Sequence, residues 1–169
     1  CGSPTVSTGQ GALRTTRCFV LTISDTRTEE TDTGGRLICS LLRDGGHQVV
    51  EKQIVKDDPE LVRTVVRQQL GNADVQVIIT TGGTGISSRD STVEAIDGLM
   101  DKRLDGFGEL FRMLSYQEIG SAALLSRATG GVASGRVVFA LPGSEAAVRL
   151  AMTKLIVPEL GHLVREISR

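Results

Sequence analysis

The sequence predicts an α/β fold with three layers, α/β/α, built around a mostly parallel sheet. Short apolar segments rich in β-branched residues alternate with longer amphipathic segments, which is the pattern of strands and helices taking turns along a chain. The strand segments are largely apolar, as expected where helices cover both faces of a sheet. The 169 residues are 40% hydrophobic and show no internal repeat or linker, so residues 16–169 are predicted to form a single domain.

The first half of the chain supplies three strands and two helices. The strands are predicted at residues 18–23, 49–55 and 75–79. The second strand alternates apolar and polar residues, which favours a place near an edge of the sheet. A helix over residues 33–44 carries its apolar side chains on one face and ends at Gly45-Gly46. The next helix begins at Asp58-Pro59, because proline is favoured in a first helical turn.

The second half adds a long helix, a strand and a terminal helix. Apolar residues recur at helical spacing over residues 107–126. Residues 136–141 form an apolar, β-branched run that ends at Pro142, and they are predicted to be a strand. A final helix is expected from about residue 144 to residue 168, with a kink at Pro158.

Composition excludes several classes of function. The chain carries 19 basic and 20 acidic residues, contains no Trp and is only 3% aromatic, so no nucleic-acid partner is expected. No apolar stretch is long enough to span a membrane, and no membrane partner is expected. Residues 1–15 are rich in Ser, Thr and Gly without periodicity, which predicts a flexible N-terminal arm.

The cysteines and histidines indicate neither a disulfide framework nor a zinc site. Cys1, Cys18 and Cys39 are an odd, widely spaced set, and the latter two are predicted to be core residues, with a catalytic thiol as the weaker alternative. His47 and His162 are too few and too far apart to build a zinc site. A reduced, cytoplasmic protein is therefore expected. Whether Cys1 is a natural terminus is open.

The most informative segment is residues 80–94, with the sequence TTGGTGISSRDSTVE. It joins a predicted strand to a predicted helix. Glycines in such a turn let the backbone approach an oxyanion closely, and free N–H groups point at it. Asp90 adds a carboxylate that could hold a metal ion beside a bound phosphate. The residue types therefore predict a site for a phosphate or phosphate ester.

This segment also allows a simpler interpretation. It could be a tight turn in which Ser91 and Glu94 form a capping box for the next helix. It matches neither common phosphate motif, since no lysine follows the glycines and Ser88 stands at the third glycine position of a dinucleotide fingerprint.

Three further segments follow predicted strands, as this loop does. Ligands of open parallel sheets bind outside the carboxyl ends of the strands. The four segments are expected to meet at that edge: Ser24-Asp25, residues 55–57, residues 81–85 and residues 141–144.

Six stretches together carry a family resemblance: residues 24–33, 54–57, 80–90, 105–109, 125–127 and 141–144. With these markers the chain resembles the MoaB/MogA family of molybdenum cofactor biosynthesis proteins over almost all of its length from residue 18. Residues 24–33 and 107–120 are more similar to the MoaB branch. The resemblance implies the molybdopterin-binding, MogA-like fold.

The resemblance also implies which residues form the site. The family's two functional carboxylates fall on Asp57 and Asp90, which are expected to be catalytic and to hold Mg²⁺. The residues expected to bind substrate or phosphate are Ser24, Asp25, Thr81, Gly82, Gly83, Thr84, Gly85, Arg89, Ser126, Arg127, Pro142, Gly143 and Ser144. The chain departs from the adenylyltransferase pattern at Val93, where proline is common.

Asp57, Arg89 and a further candidate near the same edge, Arg27, have structural alternatives. Asp57 could instead cap the helix that contains Pro59, although Asp58 is an equally good cap. Arg27 and Arg89 could pair with phosphates or simply be solvated.

The activity that the resemblance implies is transfer of adenylate from MgATP to the terminal phosphate of molybdopterin, with release of pyrophosphate. ATP, with Mg²⁺, and molybdopterin enter as substrates, and no tightly bound cofactor is expected. A non-catalytic molybdopterin carrier and a nucleotide-binding module of another pathway are the alternatives. A homotrimer or homohexamer is expected, and other cofactor-biosynthesis proteins are possible partners.

Overall fold

The computed structural model of the protein describes residues 15–169, which form a six-stranded sheet with helices on both faces. The arm predicted over residues 1–15 lies outside the described residues, Thr15 excepted. The strands are β1 (Arg17–Ile23), β2 (Gln48–Val55), β3 (Val77–Thr81), β4 (Lys102–Arg103), β5 (Thr129–Ala133) and β6 (Arg136–Leu141). The helices are α1 (Thr33–Asp44), α2 (Pro59–Leu70), α3 (Thr92–Asp97), α4 (Asp105–Ile119), α5 (Glu145–Ala151) and α6 (Val157–Ile167).

The sheet has the strand order β2-β1-β3-β6-β5-β4. The first four strands are parallel, and β5 and β4 add antiparallel pairs at one side. The predicted three-layer α/β/α fold with a mostly parallel sheet is confirmed, and β2 occupies the edge expected from its alternating pattern. Within residues 15–169, no helix combines the length and the apolar character needed to cross a membrane.

Each face of the sheet packs into its own hydrophobic core. Alternate side chains of a strand point to opposite faces, so Ile79 joins one core and Ile78 joins the other. Helices α1, α4, α5 and α6 cover the first face, and α2 covers the second with α3. The carboxyl ends of the four parallel strands lie at one edge of the sheet, between these two helical layers.

Two aspartates determine how the chain enters the first two helices. Asp32 caps α1 by accepting a hydrogen bond from the Gly35 N–H at 3.0 Å, and it also forms a salt bridge with Lys52 at 2.6 Å. Burial raises the pKa of Asp32, but its hydrogen bonds, that to Lys52 first, outweigh burial and hold the pKa below its usual range. Asp58 caps α2 through the Glu60 N–H at 2.9 Å. The cap of α2 is therefore Asp58, which leaves the Asp57 carboxylate free for another role.

Strand β3 begins and ends two residues later than the strand predicted at 75–79. Thr80 and Thr81 are polar, yet both are buried and continue the pairing with β1. The apolar run ends at Ile79, so hydrophobicity alone ends the prediction too early.

Strands β4 and β5 were missed. Strand β5 contains Gly130 and Gly131, which carry no β-strand signal. A Cβ on Gly130 would lie 2.7 Å from the ring of Phe139, and glycine permits this close packing. The turn at Ser134 and Gly135, both with positive φ, leads directly into β6 and was the available hairpin signal.

The two long helices predicted in the second half are interrupted. The helix predicted over 107–126 ends at Ile119, where Gly120 takes φ +68°, and continues as a 3₁₀ turn over Gly120–Leu125. The last helix widens into a π-helical turn over Met152–Ile156 just before Pro158. Proline lacks the N–H that an α-helix needs there, which accounts for the wider turn.

Candidate functional site

The predicted loops meet at one edge of the sheet. The Ser24 N–H donates to Val55 O at 2.9 Å, which joins the ends of β1 and β2. The Gly82 N–H donates to Leu141 O at 2.9 Å, which joins the ends of β3 and β6. Parallel pairing thus brings all four loops together, as expected for this class of sheet.

A cavity of about 410 Å³ opens beside the glycine loop. This volume is typical of a small-molecule site. Nine of the predicted site residues line it: Gly82, Gly83, Thr84, Gly85, Asp90, Ser126, Pro142, Gly143 and Ser144.

The sequence did not predict the wall of the cavity that faces the glycine loop. This wall is formed by residues of α4, the 3₁₀ turn and α5. Polar groups here are Ser115 and Glu118, spaced three residues apart on one face of α4. The apolar members are Ile119, Ala122, Leu125, Ala146, Ala147 and Leu150. The only sequence signal was a helix with more large apolar residues than one core requires.

The glycine loop is shaped by contacts with the protein itself. Gly82 and Gly83 adopt φ +101° and +69°, a region that favours glycine. A Cβ on Gly82 would lie 2.2 Å from Ile23 O, and one on Gly83 would lie 2.0 Å from Thr92 Oγ1. A Cβ on Gly85 would lie 2.5 Å from a carboxylate oxygen of Asp90. Glycine is therefore needed at these positions because the backbone packs too closely against neighbouring residues for a side chain. In this conformation the loop lines the cavity.

Arg127 braces the glycine loop and does not line the cavity. Its Nε–H donates to Thr84 O at 3.1 Å and to Gly85 O at 3.0 Å. The same guanidinium forms an ion pair with Glu94, which lowers the pKa of that carboxyl. Five donors in a rigid fork suit this multiple contact. The arrangement gives Arg127 a positioning role behind the loop.

Asp25 and Arg89 connect two rim loops. The guanidinium of Arg89 donates to both carboxylate oxygens of Asp25, at 3.0 and 2.9 Å. Asp25 Oδ1 also accepts from the Asp57 N–H at 3.1 Å. This backbone hydrogen bond, followed by the bonds from Arg89, lowers the pKa of Asp25. Neither side chain lines the main cavity.

Ser24 and Thr81 lie at a smaller cavity of about 190 Å³, which shares Gly82 and Gly143 with the main one. Thr81 Oγ1 donates to Pro142 O at 2.9 Å, so it holds the turn after β6. At Gly82 and Gly143, which line both cavities, only glycine backbone stands between the two spaces.

The two predicted catalytic carboxylates are close enough to influence each other. Burial, and then the charges of Asp90 and Asp25, raise the pKa of Asp57 above its usual range. Asp90 Oδ2 accepts from the Ser87 N–H at 3.1 Å and from Ser87 Oγ at 2.8 Å. Asp90 thus has a structural partner as well as a place in the cavity wall.

Four buried side-chain oxygens among residues 15–169 have no hydrogen-bond partner: Asp57 Oδ1, Thr80 Oγ1, Ser91 Oγ and Thr92 Oγ1. They belong to residues that follow β2, end β3 or begin α3, the segments around the glycine loop. Unpaired buried oxygens destabilise a fold by about 1–3 kcal/mol each, so such groups usually bind water, an ion or a ligand. Ser91 makes no side-chain cap, and Glu94 pairs with Arg127, so the capping-box interpretation is wrong.

In the described part of the chain, no three His, Cys, Asp or Glu side chains are grouped to hold a metal. Mg²⁺ commonly takes one or two carboxylates together with phosphate oxygens and water. Asp57 and Asp90 could supply these one or two carboxylates. One buried oxygen of Asp57 has no hydrogen-bond partner.

The thiols of Cys18 and Cys39 do not belong to the site. Both are buried in the core, as predicted, and burial raises the pKa of Cys18 to about 12. A reactive thiol needs the opposite shift. Cys1 lies outside the described residues.

Comparisons with known proteins agree on one family. The family described as "Probable molybdopterin binding domain" matches residues 19–162. Molybdenum cofactor biosynthesis protein B of Bacillus cereus is 55% identical over 159 residues, which cover 94% of each chain. A crystal structure of a molybdenum cofactor biosynthesis protein B has a TM-score of 0.90 at 56% identity and covers 92% of this chain and 97% of its own. The tungsten cofactor synthesizing protein MoaB from Pyrococcus furiosus has a TM-score of 0.83 at 38% identity, with coverage of 92% and 99%.

Proposed function

Because the chain belongs to the family of molybdopterin-binding proteins of molybdenum cofactor biosynthesis, in its MoaB branch, we propose that it binds molybdopterin and adenylylates the terminal phosphate with MgATP. The observation that carries the proposal is the cavity itself. The glycine loop, the Asp90 carboxylate and apolar walls surround one space of about 410 Å³, and Asp57 lies next to the loop, where a Cβ on Gly83 would be 3.2 Å from its Oδ1.

The glycine loop supplies the phosphate end of this site. Its backbone runs along the cavity wall in a conformation that Arg127 and Thr92 hold from behind. Backbone N–H groups in such a loop attract anions without adding the bulk of side chains. A preformed loop of this kind binds phosphate without the cost of ordering a flexible segment.

The reaction needs positioning more than proton transfer. The attacking oxygen belongs to a phosphate that is already ionised at neutral pH, so no general base is required. Two polyanions must be brought together, and charge must be stabilised on the α-phosphate and on the leaving pyrophosphate. Largely apolar walls from α4 and α5 border one side of the cavity, and the loop would hold one phosphate in place.

Asp57 and Asp90 are the residues that would hold the Mg²⁺ of the nucleotide complex. When bound, the ion would neutralise part of the negative charge on the phosphates. The raised pKa of Asp57 fits this role, because a carboxylate destabilised by burial and by neighbouring negative charge gains most from a cation.

The test is a single-turnover experiment with the purified protein, molybdopterin and MgATP, in which pyrophosphate and adenylylated product are measured. The proposal expects one pyrophosphate per molybdopterin consumed and none without molybdopterin. Molybdopterin binding without any pyrophosphate would assign the chain to the carrier alternative. Nucleotide binding without pterin binding would contradict both.

A further inference from the structure

The main cavity has two carboxylates in its wall, and they are in different situations. Asp90 is bound to the Ser87 N–H and hydroxyl and stands next to the glycine loop. Glu118 belongs to the last turn of α4, where it is exposed and borders the cavity, and among residues 15–169 no hydrogen bond or salt bridge to it is found. The first carboxylate has an evident role in the loop, and the second has none.

A carboxylate is unfavourable in the wall of a cavity that receives phosphates, because it repels them. Its presence is favourable if it faces a part of the ligand that carries hydrogen-bond donors. Glu118 also borders a more open hollow with Arg149 and Lys154, but Arg149 lies 3.9 Å from Glu145, and within residues 15–169 neither cation forms a salt bridge with Glu118. The position of Glu118 therefore indicates a donor-rich ligand edge.

The ligands of the proposed reaction differ in the donors they offer. The aminopyrimidine edge of a pterin presents an exocyclic amino group beside a ring N–H, two parallel donors that match the two oxygens of a carboxylate. Adenine presents its amino group between ring-nitrogen acceptors, which a carboxylate would repel. Bidentate pairing of this type adds geometric specificity to binding energy.

The rest of the wall is suited to a flat heterocycle. Apolar side chains from α4, the 3₁₀ turn and α5 face the cavity, and the hydroxyl-bearing Ser115 lies one helical turn before Glu118. Ser115 is buried, so it offers a polar group within an otherwise apolar surface. Small-molecule sites commonly combine apolar walls with a few placed polar groups.

We propose that Glu118 binds the aminopyrimidine edge of the pterin and is the residue that selects pterin over other heterocycles at this site. The inference rests on the proposed function, since it names the part of the pterin that meets α4. It assigns the cavity between α4 and α5 to the pterin ring and leaves the nucleotide base elsewhere.

The experiment compares two stable ligands, neopterin monophosphate and its lumazine counterpart, in which an oxo group replaces the amino group. Binding of both to the full chain is measured by calorimetry. The wild-type protein should prefer the pterin form by about tenfold, the effect of one hydrogen-bonded group at a partly exposed site. Glu118→Gln should lose this preference or reverse it, because its amide can donate to the oxo group and accept from the ring N–H. Glu118→Ala should bind the two forms equally.

Glu109→Gln is the matched control, since it makes the same change on the exposed surface of the same helix away from the main cavity. It should keep the wild-type preference. A wild-type preference retained in Glu118→Gln would overturn the inference, and so would a change in MgATP affinity without a change in the pterin-to-lumazine ratio. Failure of the wild-type protein to bind either form would instead contradict the proposed function.

Discussion

The hydroxyl of Thr92 occupies the space that a side chain on Gly83 would need. A Cβ added to Gly83 would lie 2.0 Å from Thr92 Oγ1 and 3.1 Å from Thr92 Cβ. The Thr92 N–H also donates to Gly83 O at 3.0 Å. The first residues of α3 thus support the glycine loop from below, and loop and helix should respond together to mutation.

We predict that Gly83→Ala lowers the free energy of unfolding by about 2–4 kcal/mol, through backbone strain at φ +69° and the clash with Thr92. The Gly83→Ala/Thr92→Ala double variant should recover part of that loss, because the clashing oxygen is gone. Chemical denaturation of the four proteins of the cycle measures the coupling. Strictly additive losses would show that the contact with Thr92 does not limit residue 83.

We predict that Thr92→Val raises the free energy of unfolding of the ligand-free protein by about 1 kcal/mol, because it removes a buried hydroxyl without a partner while keeping the side-chain shape. Thr129→Val is the matched control. Thr129 is also buried, but its hydroxyl donates to Asp97 at 3.0 Å, so its loss should lower stability by about 1 kcal/mol. Equal destabilisation in both variants would mean that Thr92 has a bound partner, such as water.

We predict opposite pH dependences for Asp57→Asn and Asp25→Asn. The raised pKa of Asp57 means that the folded protein binds its proton more tightly, so its ionisation destabilises the fold as pH rises above the usual aspartate range. Asp57→Asn should therefore gain stability relative to wild type as pH increases from about 4 to 7. The lowered pKa of Asp25 contributes stability above its unfolded value that is lost in acid, so Asp25→Asn should be relatively less stable at pH 7 than in acid.

Stability curves from denaturation at several pH values measure both slopes. Parallel curves for the two variants would contradict the assigned environments of the two carboxylates.

How far the sequence predicts this molecule depends on whether the signal is local. Asp58-Pro59 and Gly45 are helix start and stop signals, and the helices begin and end there. Strand β5 contains two glycines, and it pairs with β4 and β6 while the ring of Phe139 packs against Gly130, which are tertiary contacts.

The candidate site shows the same division. The glycine loop and Asp90 are recognisable as a motif, and both lie on the cavity wall. The contribution of Ser115 and Glu118 depends on how α4 is oriented against the sheet, which periodicity cannot tell. The ion pair between Arg127 and Glu94 behind the loop likewise depends on the packing of the chain before β5 beside α3.

We predict that the protein assembles as a homotrimer or homohexamer through the outer face of α4 and the 3₁₀ turn. Tyr116 and Leu124 are 64% and 86% exposed there, alongside Leu110 and Met113 of α4, none of which lines the main cavity. Large exposed apolar patches are typical of interfaces. Leu124→Asp should shift sedimentation toward the monomer, whereas Leu61→Asp, an exposed leucine on α2, should not. A wild-type protein that sediments as a monomer at micromolar concentration would contradict the prediction.

The last prediction separates the charge of Asp90 from its structural role. If Asp90 serves the Mg²⁺ of the nucleotide, Asp90→Asn should reduce adenylyl transfer by about a hundredfold, the typical effect of losing one electrostatic contact in a transition state. Molybdopterin binding should persist or become tighter, because a negative charge near its phosphate is removed. Pterin affinity and single-turnover rate, measured on the same preparation, give the two readouts.

The control follows from the hydrogen bonds of Asp90. Its Oδ2 accepts from the Ser87 hydroxyl at 2.8 Å and from the Ser87 N–H at 3.1 Å. Ser87→Ala removes one of these bonds and leaves the charge, so it should keep most of the transfer rate if charge is what matters. Asp57→Asn should resemble Asp90→Asn, and the double variant should lose little more than either single one, since both carboxylates would serve one ion. Equal losses of turnover and pterin binding in Asp90→Asn and Ser87→Ala would show instead that Asp90 acts only by holding the turn at residues 87–90.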